Sequence, residues 1–415
     1  MSDNSQRSAA RDWRWLMMVI VFSYASLVFV IPMLKITSAK QLLQGFGVAA
    51  LDYPMMDLRG VAVWCDAAKE GKNPATVPTW IHLPGESNPH PNFLMNYSPQ
   101  VLLLGKLGLS ESTIVKWGIG LSLLYGVSLW ILCGPCSFPR AMLWALLICS
   151  PASVLVVERG NLDLLLFALL VGALLLRKHP WAEALMILAG AALKFFPFAS
   201  FCAPWKEEKS GGRAATLAAT LIFIIYLIAL YSHLASIMGS LSGQFQSAFG
   251  CTTIADLLSH DGVLSGARKE CFYIVSKVTA LIGLGSCFLA GRYRTRSGGY
   301  AKVPERSWHA FFLAAPIMLG LFVLGPQMDY KWIFFLFMVP AGLDLIHSSC
   351  ETEAIAAKAW FVCMALYSWW TFFSDEGSLR NALLKQGMMW IVMLLSTFLA
   401  GALWNRRISE KCPEN

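Results

Sequence analysis

Four short polar stretches in this apolar sequence hold the residue types that can carry chemistry, and the first contains Asp57. Asp57 follows Tyr53 and Pro54 in a stretch between two apolar parts of the chain. A carboxylate on a loop over a membrane surface can act as a general base. A charge at a helix N-terminus or a solvated loop acid would explain the same residue. Asp52 and Asp66 have equivalent chemistry, so the residues alone leave the choice of base among the three acids open.

A second polar stretch joins two apolar segments and contains Glu158, Arg159, Gly160 and Asn161. Polar side chains packed between membrane spans are costly, and the default interpretation of such residues is functional. We therefore expect Arg159 and Asn161 to contact a substrate. The alternative is a wet turn in which Gly160 supplies the bend. Asp163 is one candidate partner for Arg159.

Two lysines, Lys194 and Lys331, complete the set. A straight span through Lys194 would leave its charge at the centre of the bilayer. A helix broken between Lys194 and Pro197 would instead place a cation at the end of a half-helix, which makes an anion site. A lysine that snorkels to the nearer interface is the alternative. Lys331 follows Asp329 and Tyr330 before an aromatic run, which suits substrate contact or an interfacial anchor.

Cysteine and glycine patterns point to no cofactor. The sequence has 11 cysteines and 7 histidines but no His/Cys cluster with zinc spacing, so no metal site is expected. Cys251 and Cys271 bracket one loop, and either a disulfide or two unrelated apolar residues fits their positions. We find neither a phosphate-cradling glycine loop nor a nucleotide-binding signature.

Composition identifies the elements that must position these residues. Of 415 residues, 56% are hydrophobic and 14% are charged, whereas soluble domains average about 25% charged. A span needs roughly 20 apolar residues, and in lipid each such segment should be helical because its backbone must be satisfied internally. The sequence therefore predicts one all-α transmembrane domain over residues 1–415. Its apolar segments are Trp15–Leu34, Thr113–Cys133, Ala141–Val157, Leu162–Leu176, Trp181–Trp205, Ala214–Ala235, Phe272–Gly291, Trp308–Gly325, Trp332–His347, Ala359–Phe373 and Leu383–Trp404.

The positive-inside rule selects a topology. If residues 181–205 cross the membrane once, the basic loop at 292–306 falls outside. If they go out and return as two half-helices, that loop and the other basic clusters are cytoplasmic. This second arrangement gives about twelve membrane segments, a long extracytoplasmic first loop at residues 35–112 and a short cytoplasmic tail at 405–415, with both termini inside. The net charge of +8 then lies beside anionic lipid heads, and no nucleic-acid partner is expected.

In the order of these features, the sequence resembles glycosyltransferase family 87, the mannosyltransferase-like membrane enzymes of the GT-C type. The matches span about residues 50–345, and only the late loop departs, since it lacks the family's usual histidine. The features that carry the resemblance are the loop acid, Ala67-Ala68 with Gly71 and Asn73-Pro74, Tyr97-Ser98-Pro99, Arg159-Gly160-Asn161, Gly190 with Lys194 and Pro197, and the stretch from Pro326 to Lys331.

The resemblance implies a GT-C-like bundle in the inner (cytoplasmic) membrane. Such enzymes transfer a sugar, here a hexose or pentose, with inversion from a polyprenyl phosphate to a lipid- or glycan-linked acceptor of the cell envelope. The expected base is Asp57, and the expected phosphate-binding cations are Arg159, Lys194 and Lys331. A transporter or flippase of a lipid-linked or anionic substrate is the competing hypothesis. Expected substrate contacts are Tyr97, Glu158, Asn161, Asp329 and Tyr330.

Overall fold

Helices account for nearly all regular structure among the residues that the structure describes. The computed structural model describes residues 12–33, 39–51, 53–82, 90–92, 95, 97–206, 211–231, 248–296, 303–373 and 378–404. The predicted tail at 405–415 and the rival acid Asp52 lie outside these ranges. The described α-helices, numbered in chain order, are α1 (Arg14–Met33), α2 (Ala39–Gly45), α3 (Met56–Lys69), α4 (Leu103–Lys106), α5 (Ile114–Cys133), α6 (Phe138–Ile148), α7 (Pro151–Arg159), α8 (Asp163–Leu175), α9 (Pro180–Leu193), α10 (Cys202–Lys206), α11 (Gly212–Ala229), α12 (Thr253–His260), α13 (Gly266–Arg296), α14 (Glu305–Leu324), α15 (Val339–Ile346), α16 (Glu351–Ser368), α17 (Trp370–Phe373) and α18 (Leu379–Trp404).

The remaining regular elements are short. The described residues form two antiparallel strand pairs, one inside the predicted first loop and one between distant parts of the chain. The 3₁₀ helices are Pro99–Leu102, Glu111–Thr113, Phe196–Phe201 and Asp329–Met338, and the strands are β1 (Thr79–Ile81), β2 (His90–Asn92), β3 (Ala248–Phe249) and β4 (Gln327–Met328). The segment predicted as a loop at 35–112 therefore carries α2, α3, α4 and the β1–β2 pair.

Several helices are long and apolar enough to cross a membrane. Within the described ranges there are five, and the pair α6–α7, bent by 55°, would make a sixth. The apolar helices α8 and α9 are shorter. These helices support an all-α, multi-pass membrane protein. The five are Glu111–Cys133, Gly212–Ala229, Gly266–Arg294, Glu305–Leu324 and Leu379–Trp404.

Three predicted segments are interrupted rather than continuous. The predicted span 141–157 breaks before Pro151, which begins α7, because proline lacks the N–H group that a continuing helix needs. The predicted segment 181–205 breaks at Lys194, whose backbone is extended, before the 3₁₀ helix Phe196–Phe201. The third, 332–347, begins as a 3₁₀ helix and becomes α-helical only at Val339. The helix break predicted at Lys194 is therefore present.

The chain returns along α9 after this break. The ring of Pro197 packs against Gly190, where an added Cβ would lie 3.4 Å from the Pro197 Cβ. A second close contact joins α13 and α18, since a Cβ on Gly291 would overlap the Phe398 carbonyl and a Cβ on Gly401 would overlap the Phe288 carbonyl. Small residues allow such backbone approach between membrane helices.

The disulfide considered between Cys251 and Cys271 is absent, and both residues are free thiols. Cys251 is buried, with its Sγ 3.5 Å from the Val323 carbonyl oxygen. Cys271 is exposed at the start of the long helix α13. The two cysteines are thus the unrelated residues of the second interpretation.

Candidate functional site

The candidate site forms where the ends of several helices meet. Helix α7 ends at Arg159, α8 begins at Asp163, and α9 ends just before Lys194. Asp57 lies in the first turn of α3. Because hydrogen bonds connect Asp57 to Asn161 and Asn161 to Lys194, these chain breaks come together at one end of the helical bundle.

A sharp turn at Gly160 lets α3 approach this end. Gly160 has φ 58°, in the left-handed region, which glycine adopts without steric cost. A Cβ there would lie 3.2 Å from the Cβ atoms of Leu58 and Met55. Met55 is itself left-handed, with φ 62°, and its N–H donates to the Glu158 carbonyl at 2.6 Å. The start of α3, with Asp57, is thereby fixed over the α7–α8 turn.

Asp57 is held by two side chains and keeps access to solvent. Its Oδ2 accepts a hydrogen bond from Asn161 Nδ2 at 2.5 Å, and its Oδ1 lies 3.9 Å from Arg159 Nη1. The Asp57 side chain is 24% exposed. Burial raises the pKa of this carboxyl above its usual value, although the charge of Arg159 and the hydrogen bond from Asn161 act in the opposite direction. Raising a carboxyl pKa makes the carboxylate a stronger base.

Lys194 forms the centre of the site. Its Nζ donates to Asn161 Oδ1 at 2.8 Å and to Asp163 Oδ1 at 2.7 Å, and it lies 4.5 Å from the centre of the Tyr97 ring. Asp163 is completely buried, so the lysine supplies the counter-charge that a buried carboxylate needs. The pairing of Asp163 with Arg159 considered from the sequence is therefore wrong. Because Lys194 binds the Asn161 Oδ1 atom, the Nδ2 atom of the same amide points at Asp57.

Arg159 approaches the site from the end of α7. Its Nη2 donates to the Ala49 carbonyl at 3.2 Å, and its Nε lies 3.3 Å from Glu158 Oε2. Both Arg159 and Glu158 are buried. Arg159 Nη1 also lies 3.9 Å from Asp57 Oδ1. Arg159 therefore has two carboxylate neighbours, Glu158 and Asp57, and the ion pair with Asp57 is a long one.

Lys331 and Tyr330 enter from the 3₁₀ helix that follows β4. Lys331 donates to the neutral amide oxygen of Gln327 and lies 5.3 Å from the centre of the Phe196 ring. Desolvation lowers the pKa of Lys331 to about 8. The charge of Asp163 opposes this shift, and the charge of Lys194 adds to it. Burial, followed by the charge of Asp57, raises the pKa of the Tyr330 hydroxyl. Both side chains therefore lie within electrostatic range of the Asp57 cluster.

Asp329 occupies a separate network. It forms an ion pair with Lys385 of α18 and accepts a hydrogen bond from the Tyr367 hydroxyl at 2.6 Å. Ala49, whose carbonyl binds Arg159, lines the same small cavity as Asp329 and Lys385. The structure therefore places Asp329, an expected substrate contact, in an ion pair with Lys385 rather than in contact with Asp57 or Lys194.

Sequence reasoning missed Lys385, Tyr367 and the cysteine pair Cys133–Cys136. Lys385 lies inside a predicted apolar segment, which is the same signal that singled out Lys194. The spacing Cys133-Gly134-Pro135-Cys136 was also visible, and the two Sγ atoms lie 3.7 Å apart. Within the described ranges, no group of three or more His, Cys, Asp or Glu residues could hold a metal ion.

Comparison with known proteins gives no match to any family model, curated protein or solved structure. The resemblance to family 87 therefore rests on the residues and motifs of this sequence.

Replacing Lys194 with methionine should destabilise the protein. The buried Asp163 carboxylate would lose its counter-charge, which costs about 3–5 kcal/mol. The double variant Lys194→Met/Asp163→Asn removes the orphaned charge and should recover most of this loss. Thermal unfolding in detergent measures the effect, with the exposed Lys116→Met as the matched control. A Lys194→Met variant as stable as wild type, or a double variant no better than the single, would contradict this pairing.

Proposed function

We propose that this chain is a GT-C-type membrane glycosyltransferase related to family 87. It transfers a hexose or pentose with inversion from a polyprenyl-phosphate donor to a lipid- or glycan-linked acceptor at the extracytoplasmic face. The observation that carries the proposal is Asp57, a partly exposed carboxylate held by Asn161 and Arg159 at the end of an apolar helical bundle.

The proposed reaction needs one base and one site for a leaving phosphate. The acceptor oxygen attacks the anomeric carbon, and the bond from that carbon to the phosphate oxygen breaks with its electron pair leaving on the phosphate. Asp57 takes the proton of the acceptor hydroxyl as the new C–O bond forms. Inversion follows because the nucleophile enters opposite the leaving group. No covalent sugar–enzyme intermediate is required.

Arg159 and Lys331 are the cations best placed to stabilise the phosphate. Charge develops on the phosphate as it leaves, and cations fixed at that position stabilise the transition state. Lys331 is bonded to a neutral amide, and Arg159 is 3.9 Å from Asp57. Lys194 was also expected to bind the phosphate. Because Asp163 holds it at 2.7 Å, the proposal instead gives it the role of orienting Asn161. Tyr97 and Tyr330 line the same cluster and supply contacts for the sugar.

The membrane arrangement belongs to the same proposal. About twelve membrane segments, with both termini cytoplasmic, follow from the distribution of basic residues. The site then faces the extracytoplasmic side of the inner membrane, beneath the long first loop. The prenyl chain of the donor lies in the bilayer and the acceptor arrives from the aqueous side.

Transport of a lipid-linked or anionic substrate is the second candidate. The interrupted helix at Lys194 and its buried ion pair with Asp163 favour it, because transporters bind ions and substrates at such breaks. The two functions differ in product: a transporter returns its substrate chemically unchanged.

Asp57→Asn should lower sugar transfer at least about 100-fold, because the amide cannot accept the proton. Binding of a polyprenyl-phosphate sugar should remain, since Arg159 and Lys331 are unchanged. Asp66→Asn is the matched control. Asp66 forms an ion pair with Lys69 at 3.1 Å and accepts a hydrogen bond from the Glu111 N–H, and neither contact reaches Asp57. The Asp66→Asn variant should therefore transfer sugar near the wild-type rate. Normal transfer by Asp57→Asn and loss in Asp66→Asn would reassign the base.

The pH dependence of kcat/KM should be bell-shaped. Transfer needs ionised Asp57, whose pKa is raised, so activity should fall as the pH drops through a value above the ordinary carboxyl pKa of about 3.9. Transfer also needs protonated Lys331, so activity should fall as the pH rises through about 8. Lys331→Arg keeps its charge at alkaline pH and should abolish the alkaline decline. An unchanged alkaline decline in Lys331→Arg would remove Lys331 from the phosphate site.

A further inference from the structure

A second cavity, of about 760 Å³, lies at the opposite end of the bundle from Asp57. Helix α8 begins at Asp163 in the candidate site and ends at Leu175, which lines the cavity. Its 13 residues separate the two by about 20 Å at the α-helical rise. Helix α14 connects the same two ends in the opposite direction, from Glu305 at the cavity to Leu324 next to β4. The cavity is therefore distinct from the proposed transfer site.

The walls of this cavity carry an excess of positive charge. Its charged lining residues are four cations and two carboxylates, which leaves a net charge of +2. Arg140 lies 3.3 Å from Asp344, and Arg177 lies 3.9 Å from Glu305, so each carboxylate positions one arginine at the wall. The lining residues concerned are Arg140, Arg177, Lys178, Arg306, Glu305 and Asp344.

The rim of the cavity continues into apolar outer surface. Leu175 lines the cavity and is 52% exposed. Helix α6, which contributes Arg140 to the wall, also exposes Phe138 and Met142. A ligand with an anionic head and apolar tails matches this combination, whereas a free anion would use only the charged part.

We infer that this cavity binds the phosphate headgroup of an anionic membrane lipid, with the acyl chains along the exposed face of α6. The volume lies within the range of about 300–1,000 Å³ that is usual for ligand pockets. Basic pockets between membrane helices on the cytoplasmic side bind such headgroups. The positive-inside rule places Arg140, Arg177, Lys178 and Arg306 on that side. The inference rests on the proposed membrane arrangement but not on sugar transfer.

Retention of lipid by the purified full-length protein tests the site. Delipidated protein is mixed with vesicles of phosphatidylglycerol or phosphatidylcholine, and bound lipid is counted by native mass spectrometry. Wild type should retain phosphatidylglycerol in preference. Lys178→Gln/Arg306→Gln should weaken this retention about tenfold, since each basic residue near an anionic headgroup contributes substantially. The control Lys106→Gln/Lys116→Gln removes two exposed lysines from the opposite end and should bind like wild type. Equal loss in both double variants, or no loss in the first, would overturn the site.

Thiol protection in wild-type protein gives a second measurement that needs no variant. Cys133 and Cys136 line the cavity, so phosphatidylglycerol should slow their alkylation, while the exposed Cys271 should react equally with and without lipid. Alkylation sites are mapped by peptide mass spectrometry. Unchanged alkylation of Cys133 and Cys136 would overturn the site. Full protection by millimolar inorganic phosphate, with no further effect of the lipid, would overturn the lipid assignment.

Discussion

The ion pair between Lys194 and Asp163 is the interaction on which the site depends. Asp163 is fully buried and Lys194 nearly so, and a charge in such surroundings is stable only with a close partner and further hydrogen bonds. Asn161 supplies one of these bonds, and its amide then points its NH₂ group at Asp57. The need to neutralise buried Lys194 therefore also sets the position of the proposed base, because Lys194 orients Asn161 and Asn161 binds Asp57.

Interrupted helices make this arrangement possible. Helices α7, α8 and α9 all begin or end at the site. The polar residues Arg159, Asp163 and Lys194 therefore lie at or next to helix ends rather than in the middle of a continuous span. Gly160 allows α3 to lie against the α7–α8 turn, and Pro197 prevents α9 from continuing. The Asp329–Lys385–Tyr367 network joins helices α16 and α18 to the 3₁₀ helix that carries Lys331. Rigid supports of this kind hold reacting groups in position.

Composition and local signals predicted the fold class and singled out several residues that the structure brings together. Apolar segments predicted an all-α membrane protein, and Lys194 with Pro197 predicted the helix break. The proximity of Asp57 to Arg159 and Asn161 could not be derived from periodicity, because it depends on the packing of α3 on a distant turn. For the same reason the sequence did not decide that Asp163 pairs with Lys194, or that Asp329 pairs with Lys385. Some segments that were predicted as continuous helices are also interrupted. Pro151 divides one of them, and in another a 3₁₀ helix from Asp329 to Met338 replaces the expected α-helix.

The stereochemistry of the product tests the central claim most directly. Purified protein is incubated with a hexosyl polyprenyl phosphate of known anomeric configuration and an alkyl glycoside acceptor, and the anomeric proton of the product is examined by nuclear magnetic resonance. If a single carboxylate base acts without a covalent intermediate, one polyprenyl phosphate is released for each glycoside formed. The glycoside then has the anomeric configuration opposite to that of the donor. A product with retained configuration would contradict direct displacement assisted by Asp57. Recovery of the donor intact on the other side of the membrane would contradict glycosyl transfer itself.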